Sequence, residues 1–294
     1  MDKFRSGYVL IVGRPNVGKS TLLNAIVGEK IAIVTPKPQT TRNRITGIKT
    51  LPGAQIIFMD TPGIHKPQQR LGEEMNRLAY ESLEEVDIIL FMVAPEPPGK
   101  GDLFVLEKIR QSGKPIFLLV NKVDTVKKPE LLPVIDAYRR LHPFAEIMPV
   151  SALRTDGLDM LAGTIEKYLP EGPRLYPDDM VTDQMERFMV SEIIREKVIE
   201  ATREEVPYSS AVEVEEWTER EEGVVFIRAN IYIERDGQKG IIIGRHGSRL
   251  KSIGSQARLD IEGLLGTRVY LELWVKVRKD WRSDEGTLRE LGFR

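Results

Sequence analysis

The chain has 294 residues, 43 Lys and Arg against 44 Asp and Glu, 3 His and no Cys. That length points to roughly two domains, and the missing Cys excludes disulfides, thiolate zinc sites, iron–sulfur clusters and cysteine nucleophiles. The longest apolar run, Ile88 to Ala94, falls far short of the ~20 residues that span a bilayer, and the opening MDKFRSGYVLIVG shows no signal-peptide cleavage pattern, so a cytosolic location is expected.

From residue 8 to 170, short apolar runs alternate with amphipathic segments. Tyr8–Val12, Ile56–Met59, Ile88–Val93, Ile116–Val120 and Ile147–Val150 read as buried strands. Helical patterns lie between them, such as Leu158, Leu161, Ile165 and Leu169. This alternation predicts an α/β domain over residues 1–170, with a mostly parallel sheet and helices on both faces. The more polar Arg42–Thr50 fits an antiparallel edge strand. Leu169-Pro170-Glu171-Gly172-Pro173 and Pro177 predict an irregular linker over 171–183. A helix is expected from Asp183 to Glu204, with Met185, Phe188 and Met189 on one face. The period then becomes two, in Val225 to Ile233 and again in Val269 to Val277. Residues 184–294 thus read as a small α+β domain with the order helix, strand, strand, helix, strand, helix.

Charge is uneven. Asp183–Gly237 holds 7 basic and 15 acidic residues, whereas Gln238–Arg294 holds 12 basic and 7 acidic. Five basic residues and no acid lie between Lys239 and Arg258, a patch that by itself reads as a solvated face and points to nucleic acid only with a motif beside it.

Four motifs follow the strands. Gly13-Arg14-Pro15-Asn16-Val17-Gly18-Lys19-Ser20-Thr21 has the G-x-x-x-x-G-K-S form between a strand and a helix. Its glycines let N–H groups wrap a β-phosphate, and the helix N-terminus adds its dipole. Lys19 supplies a cation to the β- and γ-phosphates, and Ser20 a hydroxyl to Mg²⁺. Asp60-Thr61-Pro62-Gly63 places an acid at a strand tip, within reach of Mg²⁺, and an N–H at Gly63 for a γ-phosphate. In Asn121-Lys122-Val123-Asp124, the Asp124 carboxylate can accept from N1–H and the 2-amino group of guanine, which adenine cannot match. The Lys122 stem can lie along the ring while Asn121 braces neighbouring loops. Ser151-Ala152-Leu153 can offer the Ala152 N–H to guanine O6. Ligands of open α/β sheets bind at such strand ends.

These motifs resemble those of the translation-factor-related GTPases, and within that class the Era family. Pro38-Gln39-Thr40-Thr41-Arg42 and the continuation Ile64-His65 carry the same resemblance, which extends over nearly the whole chain. The resemblance implies GTP and GDP as ligands and Mg²⁺ held by Ser20, Asp60 and Thr41, or failing that Thr40. It also implies a potassium ion held partly by Asn16, which compensates for Ile64 standing where Ras-type enzymes have a water-orienting Gln. Lys19, Thr41, Asn16 and Gly63 are the expected catalytic residues, with slow intrinsic turnover suited to a switch.

The run Ile241-Ile242-Ile243-Gly244-Arg245-His246-Gly247-Ser248-Arg249-Leu250-Lys251 contains the G-x-x-G loop by which KH domains clamp the backbone of about four nucleotides. Gly244 and Gly247 let the backbone approach phosphates, Arg245, His246, Arg249 and Lys251 add polar and charged groups, and Ile241–Ile243 with Ile253 are expected to wall the bases. Two strands before the loop and one after match the type II KH arrangement. The acidic run Glu213–Glu222 reads as a solvated hairpin face, and Trp217, Trp274 and Trp281 as packing residues. The Era resemblance further implies small-subunit ribosomal RNA near its 3′ end as partner, a role in small-subunit assembly, a monomer, and peripheral membrane contact. Two other readings stay open on residues alone: an RNA-binding protein with a non-hydrolysing nucleotide site, and a GTPase whose second domain binds protein.

Overall fold

The computed structural model describes residues 3–64, 67, 69–220 and 223–293. His65 and the last two positions of the acidic run, Glu221 and Glu222, lie outside them. The chain gathers into two compact units that meet between Asp183 and Gln184, with the short segments Ile33–Lys37 and Gln69–Leu71 grouped with the second.

The first unit runs β1 (Arg5–Val12), α1 (Lys19–Val27), β2 (Ile45–Thr50), β3 (Ala54–Asp60), α2 (Arg70–Glu85), β4 (Ile88–Val93), α3 (Lys100–Ile109), β5 (Ile116–Val120), α4 (Lys128–Arg139), β6 (Glu146–Pro149) and α5 (Leu158–Tyr168). The sheet order is β2-β3-β1-β4-β5-β6, with only β2 antiparallel to its neighbour. Central strands buried on both faces need apolar side chains throughout, which is why they read as continuous runs. Leu10, Ile11, Leu90, Phe91, Leu118 and Leu119 have no exposed surface. Strand register sets where the motif loops emerge. Ile11 lies beside Asp60, Val93 beside Val120, and Val120 beside Pro149. The loops after β1, β3, β5 and β6 therefore leave from one edge of the sheet.

The stretch expected as a linker is strapped across the sheet by specific bonds. Ser6 N–H donates to Pro170 O and Gly172 N–H to Phe4 O, at 3.1 Å each. Gln55, fully buried on β3, accepts from the Leu175 and Tyr176 N–H groups at 2.8 and 2.9 Å and donates to Tyr176 O at 2.9 Å and Thr50 Oγ1 at 3.1 Å. Ile48 N–H donates to Val181 O, and the Thr182 hydroxyl to Thr46 O. Tyr176 OH reaches Asp183 at 3.2 Å. With 181–183 engaged in this way, the helix expected from Asp183 begins only at Glu186.

The second unit contains α6 (Glu186–Ala201), α7 (Val206–Ser209), β7 (Ala211–Arg220), β8 (Val224–Ile233), α8 (Asp236–Ile243), α9 (Ser248–Leu265), β9 (Arg268–Val277) and α10 (Glu285–Glu290). β7 and β8 form an antiparallel hairpin, and β8 pairs parallel with β9 across the α8–α9 crossover. Ile227, Ala229, Ile231 and Ile233 pack with Ile194 and Val198 of α6 and Ile253, Ala257 and Ile261 of α9. Met185 does not share that face: it precedes α6 and is 77% exposed. Trp281 is fully buried, and its Nε1–H donates to Ser209 O. Trp217 packs against the core, but Trp274 is a correction to the expectation, since it faces outward and is 53% exposed. No helix among the described residues is long and apolar enough to cross a membrane.

Candidate nucleotide and nucleic-acid sites

At the edge where the four loops meet, Gly13–Gly18 turns the chain from β1 into α1. Gly18 takes φ 104°, and a Cβ there would collide with the Asn121 amide. This position therefore requires glycine both for its conformation and for the closeness of the next loop. Asn121 is 2% exposed; its Nδ2 donates to Val17 O at 2.8 Å and its Oδ1 accepts from Ala152 N–H at 2.9 Å. Asn121 thus braces the first and last loops, and the Ala152 N–H that the sequence assigns to guanine O6 is engaged by Asn121 in this structure. Lys122 Nζ donates to Asn16 O at 2.6 Å, so its stem bridges the base motif and the phosphate loop. Asn16 is exposed, with φ 65°. Asp124 accepts from Ser151 Oγ at 2.5 Å, with Arg154 Nε 3.9 Å away. The Ser151 hydroxyl, against some opposing burial, holds the Asp124 carboxyl below the ordinary carboxylate range. Leu153 stands 77% exposed beside this pair.

The three expected metal ligands converge. Ser20 Oγ donates to Asp60 Oδ2 at 2.6 Å, Thr41 Oγ1 donates to the same oxygen at 3.2 Å, and the two hydroxyls are 2.9 Å apart. Asp60 is fully buried, and its Oδ1 has no hydrogen-bond partner. Such an orphaned carboxylate oxygen is costly, and a hard cation bound at this point would satisfy it. Among the described residues no group of three His, Cys, Asp or Glu could hold a metal. The donor set is two hydroxyls and one carboxylate, which suits Mg²⁺ completed by phosphate and water oxygens. Lys19 is buried too, its Nζ reaching Gly13 O at 3.3 Å and Arg14 O at 3.4 Å. Burial pushes the Lys19 ammonium down in pKa, opposed by Asp60, and burial pushes the Asp60 carboxyl up, opposed by Lys19 and the two hydroxyls. A phosphate chain entering here would meet a cation that water cannot screen. Thr21 follows in the first turn of α1. Gly63 is buried, and a Cβ on it would press on Pro15 at 3.3 Å. Ile64 belongs to the hydrophobic core, so its side chain is occupied in packing.

The second unit presents a different site. α8 ends at Gly244, whose φ 73° and ψ −179° are open to glycine alone. Arg245 and His246 form one tight turn, and Gly247 leads into α9. Beside this loop a groove of about 390 Å³ is lined by Gly247, Leu250, Lys251, Gly254, Ser255, Arg258, Leu271 and Leu273. The expected apolar wall is corrected here. Ile242 and Ile253 have no exposed surface and Ile243 is half-buried against the core, while Ile241 is 40% exposed without lining this groove. Leucines of α9 and β9 line the groove instead. Arg249 stays exposed beside the loop, and its Nη1 donates back to Ile241 O at the C-terminal end of α8, where a cation is favoured. Gly254 is the signal in the sequence that points to the groove. Glycine inside a helix costs about 1 kcal/mol relative to alanine, and here its bare face lies opposite Leu273.

Comparison with known proteins agrees with this two-part geometry. A family model described as a 50S ribosome-binding GTPase matches residues 8–122, and one described as a KH domain matches 205–282. GTPase Era of Geobacter metallireducens is 55% identical over 294 residues, covering 99% of each chain. The chain belongs to the Era family of GTPases. Two solved Era structures share 46% identity and a TM-score of 0.96, each covering 99% of both chains. One is a variant of Aquifex aeolicus Era bound to GDP.AlF4⁻, and the other is Era in complex with MgGDPNP and nucleotides 1506–1542 of 16S ribosomal RNA. The Era fold, a P-loop GTPase domain followed by a KH domain, is the fold described above.

Proposed function

We propose that this protein hydrolyses GTP slowly in its first unit and binds single-stranded small-subunit ribosomal RNA, near the 3′ end, in the groove of its second. Ser20, Thr41 and Asp60 would hold Mg²⁺, which would neutralise phosphate charge, while Lys19 and the Gly63 N–H would meet the γ-phosphate. Asp124, aided by Lys122, Asn121 and the Ser151–Leu153 loop, selects guanine. Gly13 to Thr21 cradle the phosphates. Asn16 would help hold a potassium ion, whose positive charge would stabilise charge developing on the phosphates, since Ile64 offers no group to orient water. In the second unit Gly244, Arg245, His246 and Gly247 approach the RNA backbone, with Lys251 and Arg258 along the groove. The protein acts in this reading as a cytosolic monomeric switch in small-subunit assembly.

The observation that carries the proposal is the convergence of Ser20 and Thr41 on the buried Asp60, in a chain that aligns end to end with an Era solved with both MgGDPNP and 16S RNA. The test is GTP turnover with and without a single-stranded RNA of the 3′-end sequence, in potassium and in sodium. RNA is expected to raise turnover, and ATP to be neither bound nor hydrolysed. Turnover that ignores RNA, or competition by ATP equal to that by GTP, would contradict the reading. Potassium is expected to accelerate the wild type over sodium, and Asn16→Ala to erase that difference. Equal rates in both salts would remove Asn16 from the hydrolytic machinery.

A further inference from the structure

Arg14, the second residue of the phosphate loop, leads its side chain toward α3. Its Nη2 pairs with Glu96, in the loop after β4, and its Nε lies 3.2 Å from Asp102 Oδ1. Asp102 stands in the first turn of α3 and is only 1% exposed. Its Oδ2 already accepts from Gly99 N–H at 3.0 Å, closing the helix end. An asparagine could still accept from Gly99, although the helix N-terminus gives the charged form a modest further advantage. A buried carboxylate is retained at a cost unless a cation compensates it, and the cation beside the remaining oxygen is Arg14.

Tyr138 of α4 is fully buried in the same region, edge-on to Phe91. Burial, followed by the charge of Asp102, pushes its phenol up in pKa. Arg14 Nε, Asp102 Oδ1 and Tyr138 Oη are buried polar atoms that fall short of well-aligned hydrogen bonds, and the Tyr138 hydroxyl faces Asp102 closely enough for the carboxylate to hold its proton in place. The backbone of Arg14 meanwhile serves the nucleotide site, because its carbonyl and that of Gly13 are the acceptors for Lys19 Nζ. Whatever fixes Arg14 fixes the peptide that aims this ammonium.

We propose that Arg14 and Asp102, backed by Tyr138, are positioning residues for GTP hydrolysis: their ion pair ties the phosphate loop to α3 and so keeps Lys19 aligned for the γ-phosphate. The proposal rests on hydrolysis at this site. Asp102→Asn keeps the volume and the acceptor for Gly99 while removing the charge that holds Arg14. It is expected to lower kcat, and the affinity for GDP with Mg²⁺ and aluminium fluoride, about tenfold each, with a smaller loss of GDP affinity, about threefold, because Lys19 also meets the β-phosphate. Arg14→Met should do the same, Arg14→Lys should recover part of the loss, and the double variant Asp102→Asn with Arg14→Met should be no worse than either single one. Wild-type kcat and aluminium fluoride affinity in Asp102→Asn would overturn the proposal, as would losses that multiply in the double variant. If Asp102→Asn does not fold, Arg14→Met, whose side chain is one-third exposed, decides by the same two readouts. The aluminium fluoride titration needs no turnover. A wild type that binds GDP but hydrolyses nothing would therefore count against the hydrolysis reading, while the ion pair is judged on binding.

Discussion

Asp124→Asn is expected to lower GDP affinity by about four orders of magnitude and to create a site for xanthosine diphosphate. The effect is large because the groups left unmatched are buried polar ones. With aspartate, the two guanine donors N1–H and 2-amino face one carboxylate. With asparagine, the side-chain amide meets the 2-amino group donor to donor, whereas the 2-carbonyl of xanthine accepts from it. The fold should tolerate the change, because Asn Oδ1 can still accept the Ser151 hydroxyl that bonds Asp124 at 2.5 Å. Competition titrations with GDP, XDP and ADP check this, and retained GDP affinity would remove Asp124 from base selection. The Ser151 hydroxyl holds the carboxyl pKa low, and a depressed carboxyl stays charged at lower pH. Guanine preference should therefore persist as pH falls past about 4, the ordinary aspartate value, and fade only below it.

Gly247→Asp combined with Lys251→Glu should cost RNA affinity on the order of a hundredfold and flatten its salt dependence by about one unit of slope for each phosphate no longer neutralised. The choice of positions comes from the backbone. A Cβ at Gly244 would press on Arg249 Cβ at 2.8 Å and its backbone nitrogen at 3.1 Å, so a substitution there would distort the α8–α9 junction as well as the surface. Gly247 has nothing within 4 Å of such a Cβ, and aspartate tolerates its left-handed φ better than most residues. Lys251 lines the groove one helical turn on. Nucleotide affinity should be unchanged. Anisotropy titration with a labelled 3′-end RNA checks the loss, and wild-type affinity in the folded variant would move RNA away from this groove.

The sheet and the nucleotide loops are readable in the sequence because burial on both faces forces unbroken apolar runs, and each motif abuts the end of one run. Val9 to Val12 and Leu118 to Val120 could hardly be anything but central strands. The second unit is readable for a related reason, since a sheet with one covered face alternates, as Val225 to Ile233 does. The features that sequence reasoning misses have no period. Gln55 sits at an inward position among β3 apolar residues, and nothing in its neighbours announces that it would bind a segment 120 residues away. Ile242 and Ile253 look like the apolar wall of the groove because they adjoin the glycine motif, yet adjacency in a helix turns such residues into the core while those one face round reach the groove. The Arg14–Asp102 pair joins two positions that only the β1–β4 pairing brings together, and no motif marks Asp102.

The strap over the sheet bears on how the protein can be taken apart. A fragment ending near residue 170, where the last helix of the first unit closes, would leave the Gln55 amide inside the sheet with three of its four bonds missing, and would strip β2 of the chain beside it. Such a fragment should be poorly soluble and quickly degraded. One continued through Asp183 keeps every partner of that amide and should be the shorter piece that expresses as a stable nucleotide-binding protein. A protease that prefers slack tethers should, by the same logic, spare residues 170–182 despite their prolines and acids.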